Sequence, residues 1–131
     1  MSTTTWLPLE YAYKGRGTCR ATVWWIGPTL WEWLATSYNS HTTVGGTQPS
    51  ANSAKLAAEQ RLSQRKVNRQ WEVTKYKAYF GDHFVVHVIY ANNLWSWKVF
   101  NPINLEELRK RTAFAYPTAR KAKAAAKQWF A

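Results

Sequence analysis

The segment PSANSAKLAAEQRL, starting at Pro49, aligns without a gap to PTARKAKAAAKQWF, starting at Pro117. The prolines are shared, as are Ala51/Ala119, Ala54/Ala122, Lys55/Lys123, Ala57/Ala125, Ala58/Ala126 and Gln60/Gln128. Upstream, LWEWLAT (Leu30 to Thr36) returns as LWSWKVF (Leu94 to Phe100). Trp6 and Tyr11 match Trp71 and Tyr76, Val23 matches Val88, and Trp25 stands against Tyr90. The chain therefore reads as a tandem duplication of a ~60-residue unit. The expected units are 1–66 and 67–131, joined near SQRKVNRQ and sharing one compact body, which a chain of 131 residues is long enough to form.

Each unit carries the same pattern of elements. Residues 6–14 and 71–80 are rich in aromatic and β-branched side chains and predict a first strand; 19–26 and 84–91 predict a second. The turns KGRG and FGDH join them, and GPT and ANN lead into a third. A proline at the first helical position then opens a helix of alternating Ala and Lys. The expected fold class is α+β, a pseudo-two-fold pair of βββα units in which each antiparallel sheet packs on its helix.

Strand alternation assigns the faces. Cys19, Ala21, Val23 and Trp25 share one side of the second strand, as do Phe84, Val86, Val88 and Tyr90. Trp31, Trp33 and Ala35, with Trp95, Trp97 and Val99, form the apolar side of the third. Ala54, Ala57, Ala58 and Leu62, and Ala122, Ala125, Ala126 and Phe130, recur at the spacing of one helical stripe. Small helix residues facing bulky sheet residues make most of the tryptophan content core. The outward sides then carry Arg20, Thr22 and Trp24 in one repeat and Val85, His87 and Ile89 in the other, followed by Glu32 and Leu34, and Ser96 and Lys98. Trp24 and Ile89 are equivalent apolar spots on polar faces, which marks a contact surface.

Eighteen Lys and Arg against seven Asp and Glu give a formal charge of +11. An imbalance of this size favours polyanions or acidic surfaces. The charge collects on the outward sheet face, in RLSQRKVNR at the junction, and on the outer side of the second helix; on the first strands Lys75 and Lys77 share one side, but their counterparts Glu10 and Ala12 do not repeat the charge. That helix bears Arg120, Lys121 and Lys127 where the first has Asn52, Ser53 and Glu59. The second repeat also holds an insert, NLEELRKR, which predicts a short helix near 104–111, with Asn104 as N-cap, acids in its first turn and bases in its last.

Catalysis finds no support. The carboxylates do not converge, and Glu106 and Glu107 are adjacent and point apart. His83 and His87 have the spacing of zinc ligands on a helix, but on a strand four residues span ~13 Å, too far for one metal. VGGT, at Val44 to Thr47, reads as turn punctuation and not as a phosphate cradle. The single cysteine, Cys19, rules out a disulfide framework and reads as a core filler. No cofactor, metal or catalytic residue is expected. With no charged head followed by a long apolar run, the expectation is a soluble cytoplasmic protein with no membrane partner.

The helix openings QPSANSAKLAAEQ and YPTARKAKAAAKQW, each after three strands, resemble the βββα arm-type DNA-binding domains of tyrosine-type phage integrases. The resemblance implies a sheet that reads a DNA groove, and a phage or mobile-element setting. It does not extend to the integrase catalytic residues, which have no counterpart here. The expected function is thus non-enzymatic nucleic-acid binding, DNA before RNA, by a monomer or homodimer. Arg20, Lys75, Lys77, Lys98, Arg120, Lys121, Lys123 and Lys127 would meet phosphates, and Trp24 and His87 a groove or base. Single strands suit an aromatic platform lined with bases as well. The competing expectation is a protein-interaction module or inhibitor that docks on an acidic partner; a structural or assembly role comes third.

Overall fold

In the computed structural model, residues 4–14, 20–36, 43–62, 71–81, 84–104, 106–107 and 115–130 are described. They are α+β: seven antiparallel strands and two helices. In chain order these are β1 (Leu7–Lys14), β2 (Arg20–Gly27), β3 (Leu30–Thr36), β4 (Thr43–Gln48), α1 (Ala51–Arg61), β5 (Trp71–Phe80), β6 (Phe84–Ala91), β7 (Leu94–Phe100) and α2 (Ala119–Trp129). The chain divides into two compact units, Leu9–Val73 and Met1–Pro8 with Thr74–Ala131. These bounds differ from a cut at 66/67, and two aromatic contacts account for the difference. Trp6 meets the Phe80 ring edge-on at 6.1 Å, within the second of these units. Trp71 lies 5.5 Å from the Tyr13 ring and donates its Nε1–H to Glu59 Oε1 at 2.8 Å, within the first.

In the Leu9–Val73 unit the strands lie in the order β4-β3-β2-β1, with α1 across β2, β3 and β4. Alternation puts Ala21, Val23, Trp33 and Ala35 on the helix side, where they are buried with Tyr13, Ala54, Ala58 and Leu62. Alanines on α1 let its backbone approach a sheet whose own side chains are large. VGGT is not a turn but the middle of β4. Trp33 pairs with Gly46 across the strands, and a Cβ at Gly46 would stand only 3.0 Å from the indole Nε1. Glycine suits the position because the Trp33 ring lies close to where a Cβ would stand. Trp33 is 6% exposed, and among the described residues its Nε1 meets no hydrogen-bond acceptor.

In the other unit the order is β5-β6-β7, with α2 on β6 and β7. Val86, Val88, Trp97 and Val99 are buried under Ala122 and Ala126, and Phe80 stacks on Phe130 at 4.4 Å. The β6–β7 hairpin turns through Asn92 and Asn93, both in the left-handed region (φ 54 and 66), as a two-residue turn of the I′ kind requires. Residues before α2 pair with the β7 edge: Trp95 and Tyr116 exchange backbone hydrogen bonds at 2.7 and 2.6 Å.

Several local expectations are revised. The prolines do not begin the helices: Ser50 and Thr118 are the N-caps, accepting from Ser53 N and Lys121 N, so Pro49 and Pro117 stand one residue outside. A hydroxyl that satisfies an orphan N–H outcompetes a proline that merely tolerates the position. Val85 is on the outward side as expected, but is only 3% exposed, set between Tyr79 and Phe100 on the neighbouring strands. Tyr90, at the end of the core stripe, is 39% exposed and donates its hydroxyl to Asn93 Oδ1 at 3.0 Å. The helix expected over 104–111 is not formed at its described positions. Asn104 lies in a turn and accepts from Glu106 N at 2.9 Å, while Glu107 makes an antiparallel bridge with Phe100. Residues 108–111, Cys19, His83 and the junction from 63 to 70 lie outside the described residues.

Candidate nucleic-acid interface

The face of β5, β6 and β7 away from α2 is a three-by-three grid fixed by strand register. One row is Lys75, Ile89 and Ser96; the next is Lys77, His87 and Lys98; the third is Tyr79, Val85 and Phe100. Neighbours across strands are ~4.8 Å apart and successive rows ~7 Å. Lys75, Lys77 and Lys98 thus surround His87, all four partly buried. Tyr79 is 56% exposed, with the Lys77 ammonium 5.5 Å from its ring centre. The His87 ring lies 4.8 Å from that of Phe100.

The His87 imidazole is pushed down to a pKa of about 4, first by burial and then by Lys75 and Lys77. At neutral pH it is therefore uncharged. The positive charge of the grid belongs to the lysines, and His87 contributes a neutral ring with one donor and one acceptor.

The remaining expected residues lie on other elements. Arg20 and Trp24 belong to the Leu9–Val73 unit, on its side away from α1. There Trp24 stands between Glu10 and Glu32 on the adjacent strands, and Arg20 is opposite Lys14 and Thr36. The neighbourhood of Trp24 is acidic, and its indole is not flanked by the lysines grouped with it from sequence.

On α2, Arg120, Lys121 and Lys127 are exposed. They lie on the helix that covers the opposite side of the sheet from the grid, so one flat ligand does not reach both sets. Lys123 turns inward instead. Its ammonium is 3.4 Å from the centre of the Tyr76 ring and 5.7 Å from that of Trp6, and burial lowers its pKa. In the other unit Lys55 stands 3.5 Å over Tyr11, its pKa lowered by burial against the opposing pull of Glu59. Sequence reading took Lys123 for a phosphate contact; the signal against it was that Lys123 and Tyr76 align in sequence with Lys55 and Tyr11.

Sequence reading also passed over Tyr79 and Phe100, which flank the lysine row. Their signal was the period of two along β5 and β7, which sets them on the same face as Lys77 and Lys98. Among the described residues no group of three or more His, Cys, Asp or Glu is placed to hold a metal ion, and no helix is long and apolar enough to cross a membrane. Comparison with known protein families, curated proteins and solved structures found no match to this chain.

Proposed function

We propose that the chain is a binding protein for nucleic acid, DNA in the first place, and not an enzyme, and that it arose by tandem duplication of a βββα unit. The duplication is supported by parallels at matching positions: Ser50 and Thr118 as caps, Lys55 over Tyr11 and Lys123 over Tyr76, and Gln48 and Tyr116 both pairing at the outer edge of a third strand. In this reading β4 is a full strand in one copy where the other carries two isolated bridges, Trp95 with Tyr116 and Phe100 with Glu107.

The observation that carries the function is the row Lys77, His87, Lys98, with Lys75 beside it. Register, and not flexible loops, sets the backbone positions of three lysines on one sheet face, and phosphate oxygens are the ligand such an array meets without a matching base sequence. The uncharged His87 between them adds a contact to a base or sugar. Arg120, Lys121 and Lys127 strengthen the long-range field that attracts a polyanion. With three phosphates neutralised, the salt slope is about −2.7 on duplex DNA and about −2.1 on a single strand. From 50 to 200 mM salt affinity then falls about 40-fold or about 20-fold.

The test is a titration of the full chain with DNA and RNA, followed by tryptophan fluorescence across that salt range. Steep salt dependence, lost in Lys75→Glu with Lys77→Glu, is the expected result; no binding at low salt refutes the proposal. A second reading rests on Trp24, whose cross-strand neighbours Glu10 and Glu32 repel phosphate. Such a face suits a protein partner, and loss of a partner on Trp24→Ala with little salt sensitivity would favour it.

A further inference from the structure

Resting on the nucleic-acid reading, we infer that the ligand of the β5–β6–β7 face is a single strand, with unpaired bases against the rings of Tyr79, Phe100 and His87 and phosphates against Lys75, Lys77 and Lys98. The grid has a chemical direction. One row is aromatic at both ends, Tyr79 and Phe100, with Val85 as a flat buried floor between them; the next row is cationic at both ends with a neutral ring at its centre. An aromatic ring on a sheet face offers a π surface, and a base can use it only with its own face uncovered. In a duplex those faces are stacked on one another and only the base edges reach the grooves. Tyr79, more than half exposed beside an ammonium group, would be idle against duplex and used against a single strand. The separation of rows, ~7 Å, lets bases reach the aromatic row while the backbone follows the lysines. A neutral imidazole against Phe100 extends the stacking surface without adding charge. Stacking is sequence-tolerant because every base has a π face, so no strong base preference is implied.

The experiment uses the full chain and fluorescence anisotropy with three probes: a thymidine oligonucleotide, a mixed-sequence duplex of equal length, and inorganic polyphosphate, which has charge but no bases. Tyr79 is exposed, so Tyr79→Leu is expected to leave the fold intact, which circular dichroism checks; Tyr79→Phe keeps the ring. The expected result is preference for the single strand, a loss of about 5- to 150-fold on Tyr79→Leu, from the stacking contribution of one base, near-wild-type affinity for Tyr79→Phe, and unchanged polyphosphate binding in both. Equal or tighter duplex binding, or a single-strand affinity indifferent to Tyr79→Leu while the lysine reversals still abolish it, overturns the single-strand inference and leaves the broader reading standing. Failure of both nucleic acids to bind at low salt overturns both.

Discussion

Gly46→Ala is expected to destabilise the Leu9–Val73 unit even though alanine is a small, ordinary residue at an ordinary backbone angle. The added Cβ would stand 3.0 Å from Trp33 Nε1 and 3.2 Å from Cε2 and Cζ2. These are atoms of a rigid ring, and Trp33 is 6% exposed in one cluster with Ala54, Ala58 and Leu62, so the indole has little room to retreat. Overpacking of this kind costs ~1–3 kcal/mol. Restricting the unfolded chain offsets ~0.4–1 kcal/mol of it, leaving a net loss of ~1–2 kcal/mol and a fall in Tm of roughly 3–10 °C. Gly27 supplies the control, since a Cβ there meets nothing within 4 Å; Gly27→Ala should be neutral or slightly stabilising. The assay is thermal and urea unfolding of both variants and of Gly46→Ala combined with Trp33→Phe. The smaller ring makes room, so the double variant should lose ~1 kcal/mol less than the two single losses added together. If Gly46→Ala behaves like Gly27→Ala, or the double variant is strictly additive, the indole does not lie over Gly46 and the account of β4 fails.

Three further outcomes follow from individual contacts. Because the folded pKa of His87, about 4, lies below the usual 6.5, the unfolded chain takes up this proton first as pH falls. Its contribution to stability is whole above about pH 6.5 and is lost down to about pH 4, amounting to about 2 kcal/mol after screening of a partly exposed group; urea unfolding of wild type and His87→Gln should diverge only in that window. Trp71→Phe removes the hydrogen bond to Glu59 and should lower the urea midpoint by ~1–2 kcal/mol equivalent with an unchanged m-value; no shift would mean the bond contributes nothing. Lys77→Gln should reduce the magnitude of the salt slope of DNA binding by about 1, whereas Lys123→Gln, whose ammonium sits over Tyr76, should leave it unchanged; equal effects would refute the inward placement of Lys123.

The strands were legible because alternation survives where one face is buried. Ala21 and Val23, and Val86 and Val88, are buried on the predicted side, and both alanine stripes meet their sheets. What sequence reading lost depends on partners distant in the chain. Gly45 and Gly46 look like a turn until Trp33 is seen to need the space above Gly46. Trp6 and Trp71 align in sequence, yet Trp6 meets Phe80 in the unit that holds Thr74–Ala131, and Trp71 meets Tyr13 in the Leu9–Val73 unit. On the candidate site, Lys75, Lys77, His87 and Lys98 were found because period two along a strand is local information. Their neighbours Tyr79 and Phe100 required cross-strand register, and the inward turn of Lys123 required the position of the Tyr76 ring.

The placement of positive charge distinguishes lysines that stand over a ring beneath a helix from lysines on the opposite sheet face. Lys55 and Lys123 occupy the same place over a tyrosine in their respective units; there the cation replaces part of its hydration with a ring face. Lys75, Lys77 and Lys98 lie instead on the sheet face away from α2. At aligned outward positions the two units differ: Glu10 against Lys75, Ala12 against Lys77, Leu34 against Lys98. If the excess charge served only solubility, either face could carry it, and mixed signs would serve as well. Instead three lysines converge on one grid while the matching positions of the other unit bear an acid and two apolar residues. The same strand pattern with opposite outward chemistry places the lysine cluster in the Thr74–Ala131 portion and sets Trp24 between two glutamates in the other.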